Sequence, residues 1–326
     1  MPGTDPAEAV AVILGELPDL PHLPELPARG AGADMTGRAA SMLVDIPVET
    51  TAGRWKLAAR PGLDQRRAAE LLARDLDAAQ EAAAGWAGPF KIQVCGPWTL
   101  AATVELSRSQ NPALADPAAV ADLTVSLAEG IAAHVAEVRS RIPGARVLLQ
   151  LDESALPAVL AGSVPTASGL NRVGAVDSTV ACGGLRSVLS ATTAFGLVHC
   201  CAPGIPLRML KDAGARAVAF DLSLLRRGEE EGLAEVVEAG LGVLAGVLQI
   251  PERSAPGGWP PAGELASDVI GLWHRMGIPP AGLDRQVVLA PACGLAGTSP
   301  AGARAALARC REAARLLPEL IEERTP

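Results

Sequence analysis

Phe195-Gly196-Leu197-Val198-His199-Cys200-Cys201 is an apolar run that ends on a histidine and two cysteines, and Ala217-Val218-Ala219-Phe220-Asp221 follows it, apolar throughout and ending on a carboxylate. Runs that are apolar at nearly every position, rather than at alternate ones, suit parallel strands buried on both faces. Comparable runs occupy residues 91–95, 146–151, 242–249 and 286–290. Between them lie longer Ala/Leu/Arg/Glu segments that read as helices, at 65–84, 117–141, 205–213, 229–239, 262–276 and 299–323. Pro117 after Asp116 and Pro300 after Ser299 are helix-start signals, because proline suits the first helical turn. Strands alternating with helices predict a parallel α/β fold, and the expectation is a single (β/α)8 barrel over residues 1–326.

Residues 20–26 form a weaker strand candidate, interrupted by Pro21 and Pro24. With it the barrel has seven strands, and 6–17 already reads as a helix. Two explanations compete, an open or trimmed barrel and a first strand that precedes Met1; the second is the expectation, since full closure removes exposed strand edges. Residues 44–57 read as a hairpin inserted around Ala52-Gly53, and 254–263 as a Pro/Gly loop.

The chain has 326 residues and is 49% hydrophobic but only 2% aromatic, with no tyrosine, so its core must be built from Ala, Val and Leu. A net charge of −8, a pI near 5.2 and no long basic run argue against a nucleic-acid surface. No uninterrupted apolar stretch approaches the roughly 20 residues of a membrane span, and the N-terminus lacks the basic and apolar regions of a secretory signal. Six cysteines without the dense spacing of a disulfide scaffold read as thiols or metal ligands. A cytoplasmic protein is expected.

His199, Cys201, Asp221 and Cys293 each lie at or just past the end of a strand candidate. A barrel gathers such ends at one face, and these are zinc-ligand residue types. Along an extended chain His199 and Cys201 point to one side and Cys200 to the other. Two thiolates, a carboxylate and an imidazole leave zinc electron-rich, suited to holding a substrate thiol as a nucleophilic thiolate. Zinc is thus the expected cofactor. Cys95, Cys182 and Cys310 read as small core residues, and His22, His134 and His274 as packing or surface residues. Asp152 and Glu153, adjacent at a strand end, must diverge: Asp152 is the candidate functional acid, while Glu153 binds substrate or caps a helix. Trp98 either lines a substrate pocket or plugs the rim.

The His-x-Cys pattern, the carboxylate after the next strand and the late Cys293-Gly294-Leu295 resemble the catalytic domain of cobalamin-independent methionine synthase. Gln150-Leu151-Asp152-Glu153-Ser154 is similar to the family's Gln-x-Asp-Glu-Pro, Gly96-Pro97-Trp98-Thr99 to its Gly-Pro-Val-Thr, and Met1-Pro2-Gly3-Thr4 to the tail of its Gly-Ser-Phe-Pro. The resemblance spans essentially the whole chain, but each motif is short and only the ligand set is specific. It implies a barrel shared with uroporphyrinogen decarboxylase, zinc on His199, Cys201, Asp221 and Cys293, and Asp152 on the amine of the substrate. It further implies methyl transfer to a thiol, homocysteine first, from methyltetrahydrofolate or a methyl-corrinoid protein.

The chain departs from that pattern in places. The metal carboxylate is Asp221 rather than Glu. The stretch from Arg29 to Met35 lacks the family's substrate-binding Glu, and Gln249-Ile250-Pro251 stands where the family has its proton-donating His. Two other readings therefore stand beside methyl transfer: a non-catalytic or divergent zinc- or thiol-binding paralogue, and a metal-free decarboxylase of the uroporphyrinogen type.

Overall fold

The computed structural model describes residues 1–250, 258–280 and 282–324. A two-stranded antiparallel hairpin, β1 (Val48–Thr51) and β2 (Arg54–Leu57), precedes the main sheet, with Ala52 and Gly53 both at positive φ in its turn. The main sheet has six parallel strands in sequence order: β3 (Ala87–Cys95), β4 (Gly144–Asp152), β5 (Phe195–Cys200), β6 (Ala217–Asp221), β7 (Gly242–Leu248) and β8 (Val287–Pro291). All six strand runs read from the sequence are here, some longer than their apolar cores. The expected closed eight-stranded barrel is not: the sheet is a curled, open half-barrel, a partial barrel of the (β/α)8 kind.

The candidate strand at 20–26 accounts for part of the difference. Its backbone meets β3 at a parallel bridge between His22 and Lys91, with Leu23 N–H donating to the Lys91 carbonyl (2.9 Å) and Lys91 N–H to the Pro21 carbonyl (2.9 Å), and Gln93 Nε2 donates to the Leu23 carbonyl (2.7 Å). Pro21 faces β3 in this register and carries no N–H, so the ladder cannot extend beyond it, and Pro24 offers no N–H on the opposite edge. The flanks are covered by helices instead. Helix Pro6–Glu16 touches helices Leu63–Ala82 and Pro300–Arg324, and the last of these also packs on β8. Arg311 ties the two ends of the chain together, donating to the carbonyls of Gly15 (3.0 Å) and Glu16 (3.2 Å).

The two faces of the sheet bury different residues. Val147, Leu149 and Leu151 of β4, Val198 of β5, Val218 and Phe220 of β6, and Val243 and Ala245 of β7 join the main core. The opposite face carries a small separate cluster of Leu197, Ala217 and Ala219, packed with Leu148, Phe195 and Leu244. Above that cluster, toward the C-terminal strand ends, the same face turns polar. Register places Cys95, Asp152, His199 and Ala219 side by side across β3 to β6. Period-two alternation therefore delivers Asp152 and His199 to the concave side.

Among the helices absent from the sequence reading are Met35–Ser41, Pro97–Thr103 and Ser178–Ser190. The third contains Gly183-Gly184, a pair unfavourable to helices. Gly184 is needed for packing, since a Cβ there would sit 2.9 Å from the Trp98 ring. Among the described residues one helix, Pro117–Arg141, is long and apolar enough to span a membrane by composition (mean hydropathy 1.3), unlike the sequence expectation. Its Val120, Leu123, Leu127, Ile131, Val135 and Val138 are buried at helical spacing and the helix packs on β4, the stripe of a core helix. The loop reading at 254–263 falls partly on residues 254–257, outside the described residues.

Candidate functional site

At the C-terminal end of β4, Asp152 accepts hydrogen bonds from His199 Nδ1 (2.8 Å) and from Gln150 Nε2 (2.7 Å). Asp152 is 7% exposed and the His199 side chain 20%. The carboxylate thus fixes the imidazole, with Nδ1–H as the donor and Nε2 as the remaining nitrogen. One residue beyond β5, Cys201 is half-buried; past β8, Cys293 is exposed. The two thiols perturb each other's titration in opposite directions. Cys293 is lowered to about 6, chiefly by its interaction with Cys201 and further by the Gly294 amide and the nearby His199, against burial and the Asp152 charge. Cys201 moves upward, chiefly by its interaction with Cys293 and further by partial desolvation. Cys200, on the other side of the chain, is buried and pushed up to about 11.

Asp221 takes no part. Its Oδ1 accepts from Ser223 N–H (2.9 Å), Ser223 Oγ (2.7 Å) and Gln249 Nε2 (2.6 Å), capping the short 3-10 turn Leu222–Leu224. This corrects the zinc expectation. Among the described residues no group of three or more His, Cys, Asp or Glu side chains is arranged to hold a metal ion. His199 is engaged by Asp152, and Asp221 is spent on its own turn. With that donor set dispersed, zinc as cofactor and zinc-dependent methyl transfer are both overturned.

Glu153 diverges from Asp152 and is fully buried. Its carboxylate accepts from Trp98 N–H (3.0 Å), Thr99 N–H (2.8 Å) and Thr99 Oγ1 (2.8 Å), at the start of helix Pro97–Thr103. Burial raises it to about 7 despite those donors. Gly96 makes room, for a Cβ there would lie 2.4 Å from Glu153 Oε1. Trp98 is 2% exposed, and its Nε1–H donates to the Ala181 carbonyl (2.9 Å). Its indole is a buried strut between two helices, which leaves Asp152 as the polar candidate facing the mouth.

Sequence reasoning missed the charges deeper on the concave face. Lys91 donates to Gln93 Oε1 (3.2 Å) and feels both Asp152 and Glu25, while burial lowers its pKa. Burial raises Glu25, which also pairs with Arg38 (3.3 Å). The available signal was parity: Lys91, Gln93 and Cys95 share the inward side of a strand whose other residues, Phe90, Ile92 and Val94, are apolar. A surface cavity of about 540 Å³ lies elsewhere, near Asp45, Arg60 and Arg66 at the base of the hairpin, and includes none of the mouth residues.

No protein-family model matches the chain, and no curated protein matches it. Among solved structures, it is similar to a B12-independent methionine synthase from Shewanella sp. W3-18-1 in complex with selenomethionine. The TM-score is 0.56 at 12% identity, covering 86% of this chain and 76% of that one. At this identity the likeness shows the fold alone. A match to the carboxyl transferase domain of Rhizobium etli pyruvate carboxylase has a TM-score of 0.24 at 15% identity, covering 68% of this chain and 42% of that one. It carries no argument.

Proposed function

We propose that this chain is a divergent, thiol-binding member of the methionine-synthase-like barrels, binding a small thiol compound at the C-terminal mouth of its half-barrel. The observation that carries this reading is the Asp152–His199 couple at the strand ends, with the half-buried Cys201 just past β5 and the exposed Cys293 just past β8. The ligand sulfur would sit against Cys293, the exposed one of the two. His199, its ring fixed through Nδ1, offers Nε2 as acceptor for the incoming S–H. Asp152 is the anchoring acid, and the apolar cluster of Leu197, Ala217 and Ala219 beneath it suits the carbon skeleton of the ligand. The remote fold likeness supports a small-molecule site at strand ends, where parallel α/β barrels place their binding residues.

Calorimetric titration of the reduced protein with L-homocysteine and with its oxygen counterpart L-homoserine tests this. Homocysteine should bind and homoserine should bind at least about 10-fold more weakly, because a thiol pocket loses its sulfur contacts with a hydroxyl ligand. Equal affinity, or no binding of either, would overturn the reading.

A further inference from the structure

We infer that Lys91 receives a carboxylate of the bound ligand, so that the compounds taken at this mouth are thiols that also carry a carboxylate. This deepens the thiol-binding reading and rests on it. Strand register places the lysine. Lys91, Gln93 and Cys95 share the concave side of β3, with Gln93 the register partner of Gln150 and Cys95 that of Asp152. Lys91 Nζ donates to Gln93 Oε1 (3.2 Å), so its side chain runs up the strand and the ammonium lies near the row of Gln93 and Gln150. Gln93 is itself pinned, its Nε2 donating to the Leu23 carbonyl (2.7 Å). That row is two residues below Asp152 and His199, about 6–7 Å along the strands. A ligand held by sulfur and amine at His199 and Asp152 reaches it with a short carbon chain.

The ammonium is short of acceptors. It has three N–H donors, and Gln93 Oε1 takes one of them. Among the described residues no carboxylate forms an ion pair with it: Asp152 pairs with His199 (2.8 Å) and Glu25 with Arg38 (3.3 Å). A half-buried cation without a counter-ion in contact is costly. A ligand carboxylate supplies both the charge and the missing acceptors. The concave side also gives access. A closed barrel fills its interior with side chains, whereas here Lys91, Leu148, Gln150, Phe195 and Leu244 are partly exposed and Val288 is 40% exposed.

The test is calorimetric titration of the reduced full chain with three ligands: L-homocysteine, L-homoserine and 3-aminopropane-1-thiol, which is homocysteine without its carboxylate. Wild-type protein should bind the aminothiol at least about 10-fold more weakly than homocysteine, one charge-assisted contact being lost. Lys91→Met should weaken homocysteine by a similar factor while the aminothiol stays within about 3-fold of its wild-type affinity. Lys91→Arg should recover part of the loss. Equal binding of homocysteine and the aminothiol by the wild type, or an equal loss of both in Lys91→Met, overturns the inference. Circular dichroism identifies a variant that fails to fold, and the wild-type comparison decides the matter without it. Homocysteine bound more tightly than homoserine but no more tightly than the aminothiol sinks the carboxylate site and leaves the thiol-binding reading standing. Homoserine bound as tightly as homocysteine, with both weakened in Lys91→Met, does the reverse. Failure of all three to bind the wild type overturns both.

Discussion

Asp152 Oδ1 lies 2.8 Å from His199 Nδ1 because the two residues are register partners across β4 and β5, on the concave side of the sheet. Neighbouring parallel strands set that contact, with no loop involved. Asp152→Asn keeps the shape and an acceptor oxygen but removes the charge. Homocysteine binding should weaken about 10-fold, the loss of one charge-assisted hydrogen bond. The thermal midpoint should move by only a few degrees. Calorimetry and a melt measured on the same sample separate the two effects.

Asp75 is fully buried and binds two arginines through one oxygen, Arg29 at 2.8 Å and Arg38 at 2.5 Å. Arg38 is itself 1% exposed. Removing the carboxylate takes the ion-pair partner from Arg29 and leaves Arg38 with Glu25 at 3.3 Å. Asp75→Ala should cost about 3–5 kcal/mol, read as a drop in the urea midpoint with the slope unchanged.

Glu153 makes part of the stability depend on pH. Its carboxyl titrates at about 7 in the fold against its usual 4.5, because burial disfavours the charge. The folded state therefore keeps a proton that the unfolded chain releases. The associated stability is complete below pH 4.5 and is lost as pH rises through 7, about 3 kcal/mol in total. Glu153→Gln should flatten that decline while costing about 1–3 kcal/mol at every pH, since an amide NH2 replaces an acceptor facing backbone donors. Urea unfolding at several pH values between 4 and 8 gives both quantities.

His22 and His134 act in the opposite direction. Burial lowers both from 6.5 to about 3, with Lys91 adding to the effect at His22 and Arg38 at His134. Above pH 6.5 they are neutral whether the chain is folded or not. As pH falls below 6.5 the unfolded chain gains protons that the fold refuses, at about 1.4 kcal/mol per pH unit for each group. His134→Leu should remove about half of the acid destabilisation due to these two residues. An acid limb unchanged in that variant would refute the assignment.

Much of the fold was legible along the chain because parallel strands buried on both faces are apolar throughout, and all six runs of the main sheet carry that mark. Helices Met35–Ser41 and Pro97–Thr103 were not, because their seven residues each give too few turns for a periodic signal. Helix Ser178–Ser190 was hidden by Gly183-Gly184, whose purpose appears only when Trp98 lies against Gly184. The site divided in the same way. Strand parity brought Asp152 and His199 to the concave side and separated Cys201 from Cys200. Asp221 has the right parity as well, yet Ser223 and Gln249 take its carboxylate.

The amino-acid sequence alone determined which residues reach the strand ends and which side of the sheet they face, since alternation at a period of two follows from local backbone geometry. Only the tertiary structure decided whether the sheet closes and which side chains meet. Closure depends on an N–H ladder that Pro21 and Pro24 interrupt. A metal centre needs several donors at one point to within fractions of an ångström. The capping bonds of Asp221 and the bond between Asp152 and His199 set those positions, and no spacing in the chain encodes them.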